Sequence, residues 1–182
     1  LQRNFEQAIE YYDKILDENP KHISSLNNKG YALSKLKDFT NAIKCYDAAL
    51  KICPDDLSVL INKISSFRKQ GNLIEALQLC DYILKNNKNY NIVLYHKERI
   101  LFSLGKFDES ISCCNSILED YPDNGDVLFD KASNFVMLSN YDAALNSLEH
   151  AISQGNQYRI KAKKSKSFEN LFDNVRFQNL IC

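Results

Sequence analysis

The stretch "NAIKCYDAALKICP" (41–54) has an earlier counterpart in "QAIEYYDKILDENP" (7–20). Superposed, Ala8 falls on Ala42, Ile9 on Ile43, Tyr12 on Tyr46, Asp13 on Asp47, Leu16 on Leu50 and Pro20 on Pro54, every pair 34 residues apart. A fixed period of that order marks stacked repeats, in which each unit buries its apolar face against its neighbours.

The frame continues along the chain. "LIEALQLCDYILKNNK" (73–88), "FDESISCCNSILEDYP" (107–122) and "YDAALNSLEHAISQGN" (141–156) fall on it. Ala8, Ala42, Ala76, Ser110 and Ala144 form a column of small residues, and Pro20, Pro54, Lys88, Pro122 and Asn156 close the segments. Proline just past a helix is a stop signal. Between these segments lie four others, beginning at Ile23, Leu57, Asn91 and Gly125, with Leu26, Leu60, Leu94 and Leu128 in one column and Leu33, Phe67, Leu101 and Phe135 in another. Such apolar spacing is helical. Each period therefore reads as two helices joined by a tight turn such as "KLKDF", "KQGNL" or "SLGKF".

Composition agrees. The 182 residues are 45% hydrophobic and 25% charged, with a formal net charge of zero, 5 Gly and 3 Pro. Few turn formers suit an all-α chain. Zero net charge argues against a generally basic nucleic-acid binder. The basic run Arg159 to Lys166 reads as a solvated helix face. No apolar run approaches the roughly 18 residues of a membrane span. Of the six cysteines, four sit at repeating helix positions, Cys45 with Cys113 and Cys80 with Cys114. They read as small buried apolar residues, not a disulfide framework, and unpaired thiols fit a cytoplasmic location.

With Leu26, Gly30, Leu33, Ala42, Tyr46, Ala49 and Pro54 in its characteristic slots, the chain resembles the tetratricopeptide repeat proteins. The resemblance covers 5–156 and implies a right-handed α–α superhelix. The frame assigns half a repeat to 1–20, full repeats to 21–54, 55–88, 89–122 and 123–156, and a capping segment to 157–182, all in one solenoid. Gly30 and Ala42 are expected to let paired helices approach, with Tyr46 filling the space beyond. Ile64 and Glu98 replace the glycine, and Ser110 facing Glu98 predicts a more polar, looser fourth repeat. Phe168, Leu171, Phe177 and Leu180 match the covering helices that follow such repeats, with Ser167 expected as an N-cap. The chain reads as a fragment, since Leu1 falls partway through a period. Helix 5–18 should then present Ala8, Ile9 and Tyr12 uncovered and fray, or pair with another copy.

Function follows from the resemblance. The family binds other proteins in a concave groove lined by the first helix of each repeat. The ligand-facing slots map onto Ser24, Asn27, Asn28, Tyr31 and Lys35, then Ile61, Asn62, Ser65, Arg68 and Lys69. In the next two repeats they map onto Ile92, Tyr95, His96, Arg99 and Phe102, then Asp126, Phe129, Asp130, Ser133 and Met137. Apolar bodies interleaved with Asn and Arg suit a peptide or helix of a partner protein. The carboxylate clamp of chaperone adaptors is absent in either frame. Only Asn28 and Asn62 fit the asparagine ladder of O-linked N-acetylglucosamine transferase. His96, Asp126 and Asp130 form no complete metal set, no nucleophile–base pair or phosphate loop is present, and neither a cofactor nor catalysis is expected. The alternative reading is a substrate-recruiting arm of a larger enzyme such as a glycosyltransferase.

One column departs from the family: Lys29, Lys63, Lys97 and Lys131, set against Asp13, Asp47, Asp81, Asn115 and Glu149. Either neighbouring repeats are linked, as Lys29–Asp13 and Lys63–Asp47, or single repeats are, as Lys29–Asp47 and Lys63–Asp81. The first is favoured, with Asn115 as a rung that cannot form an ion pair.

Overall fold

A computed structural model of the chain describes residues 2–86 and 90–182. Leu1 and the expected repeat end at Lys88 lie outside the described residues. Among these residues the chain is all-helical. The elements are α1 (Gln2–Glu18), α2 (Ile23–Lys35), α3 (Phe39–Ile52), α4 (Leu57–Gln70), α5 (Leu73–Asn86), α6 (Asn91–Ser103), α7 (Phe107–Asp120), α8 (Gly125–Met137), α9 (Tyr141–Gln154), α10 (Gln157–Lys164), a 3-10 segment (Lys166–Leu171) and α11 (Val175–Ile181). They divide into two compact units, Leu1–Ile83 and Leu84–Cys182.

The turns between paired helices share one construction. Lys37, Gly71, Gly105 and Ser139 all have positive φ, at 66°, 94°, 74° and 57°. At each, the N–H of the left-handed residue bonds the carbonyl three back, and the next N–H bonds the carbonyl five back. The second of these bonds runs Asp38→Leu33 (3.0 Å), Asn72→Phe67 (2.9 Å), Lys106→Leu101 (2.9 Å) and Asn140→Phe135 (2.9 Å). This is the Schellman motif, which satisfies the orphan carbonyls of a helix end. The residue accepting its closing role also opens the following helix: Asp38 receives the N–H of Asn41 and Asn140 that of Ala143. Lys106, in the equivalent place before α7, gives no side-chain cap.

In the first unit, α2 and α3 close on each other through Gly30. A β-carbon there would meet Tyr46 Cε1 at 2.6 Å, so the Tyr46 ring lies against bare backbone. Ala42, Tyr46 and Ala49 are buried with Leu26 and Val59 in the same core. The expected role of Gly30 holds. Lys29 forms an ion pair with Asp13, and Lys63 Nζ lies 2.6 Å from Asp47 Oδ1. The linkage therefore runs between neighbouring periods, as favoured. About half of each carboxylate stays exposed, at 47% and 46%, so these pairs are worth about 0–1 kcal/mol each. They fix register more than stability.

In the second unit, Phe129, Tyr158, Phe168, Leu171 and Phe177 join Leu128, Ala132, Leu145 and Leu148 in one core, with Leu180 packed against it. Phe168 stacks on Phe177 at 5.8 Å and meets Phe129 at 5.3 Å. The tail thus covers the last helix pair, as a repeat stack requires. One detail differs. Ser167 lies inside the 3-10 segment, whose N-cap is Ser165, without a side-chain bond. The cap that forms is Asn174, which accepts the N–H of Phe177 at 3.0 Å. Lys131 lies over Phe135, 5.9 Å from the ring centroid. The described cysteines form no disulfide, and Cys80, Cys113 and Cys114 are buried.

Candidate functional site

The expected ligand-facing residues fall on first helices, α2 and α4 in one unit and α6 and α8 in the other, and each unit presents its own face.

On the first unit's face, Asn62 Nδ2 donates to Asn27 Oδ1 at 2.9 Å, and Asn27 Nδ2 donates to Ser58 Oγ at 3.3 Å. The amides that meet are thus Asn62 and Asn27. Asn28 is exposed, and Ile61 and Ser65 are half-buried. Deeper, Ser66 Oγ donates to Ser34 Oγ at 3.1 Å, holding α2 and α4 together. Tyr31 is 45% exposed. Lys35, one turn on, places Nζ 4.9 Å from its ring centroid. Lys69 is exposed and Arg68 half-buried. Partial desolvation of this largely exposed side chain, then Lys35 and Arg68, push the Lys69 ammonium below the usual lysine range. Lys35 and Lys69 hold equivalent positions in the last turns of α2 and α4.

The second unit's face is differently built. Arg99 Nη2 donates to Tyr95 Oη at 3.2 Å and Asp130 Oδ2 at 3.4 Å, and the guanidinium lies 4.8 Å from the Tyr95 ring centroid. This arginine is already neutralised and stacked. His96 and Phe102 are half-buried, Phe102 meeting Phe107 edge-on at 5.5 Å. Beneath the face sits Glu98, only 2% exposed. Its Oε1 accepts from Ser110 Oγ at 3.3 Å and Asn134 Nδ2 at 3.4 Å, while Oε2 has no hydrogen-bond partner. Burial, then the nearby Asp130, push its pKa up to about 7. The position of Glu98 is polar, with Ser110 facing it as expected.

Phe129 requires a correction. It is 3% exposed. Tyr158 and Phe168 pack on its ring, and Lys161 of α10 lies 4.1 Å above it. Lys161 also reaches Asp126 at 3.7 Å. The tail therefore occupies the slot where a ligand anchor was expected. Ser133 is buried too, its hydroxyl donating to the Phe129 carbonyl at 3.1 Å. Asp130 faces Arg99 and stays 18% exposed. Among the described residues, no three His, Cys, Asp or Glu side chains are grouped to hold a metal ion.

Paired helices repeating every 34 residues, with a capped end and half-buried first-helix faces, define a helical-repeat protein. A family model described as tetratricopeptide repeat matches residues 23–56. The solved structure of YrrB, described as a TPR protein with an unusual peptide-binding site, aligns over 90% of this chain and 85% of its own, with a TM-score of 0.74 and 19% identity. MamA aligns over 87% and 91%, with a TM-score of 0.76 and 17% identity. A tetratricopeptide repeat protein from Parabacteroides merdae aligns over 99% and 77%, with a TM-score of 0.74 and 18% identity. No curated protein matches the sequence. The chain carries a tetratricopeptide repeat at 23–56 and has the all-α fold of tetratricopeptide repeat proteins. Stacked helical repeats present extended surfaces, which such proteins use for binding. No helix among the described residues is long and apolar enough to cross a membrane.

Proposed function

We propose that this chain is a scaffold that takes a peptide or helix of a partner protein on the first-helix faces of its repeats, at 21–54, 55–88, 89–122 and 123–156. The observation that carries this reading is the exposed Tyr31 beside the Asn27–Asn62 amide pair. An aromatic body gives an anchor at low conformational cost, and side-chain amides match a peptide backbone's donors and acceptors. In the second unit Tyr95 is held by Arg99 in the same kind of slot. The peptide-binding site named for YrrB, at similar fold, supports the reading. Neither catalysis nor a cofactor belongs to this reading, and recruitment of a substrate for a separate catalytic domain would use the same faces.

Panning a random peptide library against the full chain, followed by chemical-shift mapping of the selected peptides, tests it. Perturbation should centre on Asn27, Asn28, Tyr31, Asn62 and Tyr95. Failure to select any peptide, or perturbation confined to α3, α7 and α9, would overturn it.

A further inference from the structure

The two faces differ in charge. α2 ("ISSLNNKGYALSK") and α4 ("LSVLINKISSFRKQ") contain no aspartate or glutamate, in a chain with 23 acidic and 23 basic residues. Their cations are Lys29, Lys35, Lys63, Arg68 and Lys69. Lys29 and Lys63 are taken by Asp13 and Asp47. Lys35, by contrast, leans on the Tyr31 ring, and Lys69 stands exposed at the equivalent last-turn position of α4. In the other unit the corresponding helices bring carboxylates of their own, and Arg99 is paired with Asp130.

We propose that the α2–α4 face binds an extended acidic peptide, with Lys35 and Lys69 each taking a carboxylate beside Tyr31. This rests on the scaffold reading and deepens it. Clustered like charges repel one another, and an anionic partner relieves that repulsion while gaining the Coulomb attraction. Geometry restricts the partner further. Lys35 and Lys69 lie in the last turns of neighbouring helices that pack together through Asn27–Asn62 and Ser34–Ser66. Packed helices lie about 8–10 Å apart. Three residues of extended or polyproline-type chain span about 9–10 Å. The fitting partner therefore carries Asp or Glu three residues apart. An apolar side chain between them would reach Tyr31, and the peptide backbone would meet the asparagine amides. Single-stranded nucleic acid is a poorer match, because non-specific strand binding uses several stacking aromatics along a basic groove, and this face exposes one large ring, Tyr31.

The test uses the full chain and three dye-labelled probes in fluorescence anisotropy: a 12-residue peptide with Asp or Glu every third position, the same peptide with Asn and Gln substituted, and a 12-nucleotide oligouridylate. The acidic peptide should bind at least tenfold more tightly than its amide twin. The K35E/K69E double variant should lose that preference while keeping its helical circular dichroism. Affinity for the acidic peptide should fall about tenfold between 50 and 500 mM salt, since exposed charges are screened. Equal binding of the acidic and amide peptides would overturn the acidic preference while leaving the scaffold reading intact. So would tighter binding of the oligouridylate, or a preference that survives in K35E/K69E. The scaffold reading itself fails separately, when panning yields no peptide at all. Lys35→Ala and Lys69→Ala serve as milder variants should charge reversal impair folding. Each should weaken the acidic peptide severalfold and leave the amide peptide unchanged.

Discussion

At Lys37 and Ser139 the backbone adopts a conformation that suits glycine better. Both sit at φ near +60°, where the equivalent turns have Gly71 and Gly105. A β-carbon in the left-handed region costs about 1 kcal/mol or somewhat more. Lys37→Gly and Ser139→Gly should therefore each stabilise the chain, by up to about 1 kcal/mol, less the extra entropy glycine adds to the unfolded state. Urea unfolding of the single variants measures this, and a clear loss of stability in both would contradict it. These turns were the part of the repeat least legible in sequence. The tight turns were visible, but a left-handed column hides when two of its four members are Lys and Ser. Phe129 shows a different limit. Its slot in the repeat is readable from spacing alone, yet its burial depends on where the 157–182 tail folds back. Phe129→Ala should cost about 3–5 kcal/mol, the usual range for a core phenylalanine. Tyr95→Ala, at a half-buried position on a first-helix face, should cost distinctly less. Near-equal losses in thermal unfolding would show that the tail does not depend on the Phe129 ring.

At the scale of paired helices, volume is exchanged across the crossing. Gly30 meets Tyr46, whereas Glu98 and Ala132 are paired in register with Cys114 and Leu148, all of them buried. Where the first helix carries a larger residue, the second carries a smaller one, and the crossing keeps its fill. The individual columns are readable from sequence. Their compensation is not visible until the register puts residues 16 apart in one layer. Gly30→Ala should destabilise by about 1–3 kcal/mol, because the added methyl meets the Tyr46 ring edge and not a flexible chain end. Combining it with Tyr46→Leu should give a total loss smaller than the sum of the two single losses. Additive losses in that double-mutant cycle would mean that the two side chains do not share the site. The lysine–aspartate rungs belong to the same scale, and they were legible for a simple reason. A 34-residue column of Lys, offset from a column of Asp, is a statement about register, which the fold preserves.

For the molecule as a whole, the most informative property is how stability varies with pH. Glu98 stands where Gly30 stands in an earlier period, buried between α6, α7 and α8 side chains. From sequence it looked like a polar departure; that it would be enclosed, with Oε2 lacking a donor, required the packing of Ser110 and Asn134 around it. Burial, and then Asp130, raise its pKa to about 7, against 4.5 for an ordinary glutamate, and Asp130 itself is raised by burial. The sign follows from proton linkage. Between about pH 4.5 and pH 7 the folded chain binds this proton more tightly than the unfolded chain does, so stability falls as pH rises through that window. The stabilising contribution is complete below the unfolded value and gone above the folded one. A shift of that size corresponds to about 3 kcal/mol. Glu98→Gln keeps the acceptor for Ser110 and replaces the orphan Oε2 with an amide that needs no ionisation. Its stability, measured by urea unfolding from pH 4 to pH 8, should lack most of that decline, leaving a smaller one from Asp130. The difference between wild type and variant isolates Glu98 from every other carboxylate. Wild-type and Glu98→Gln curves that run parallel across the window would show that Glu98 ionises in the fold as freely as it does in the unfolded chain.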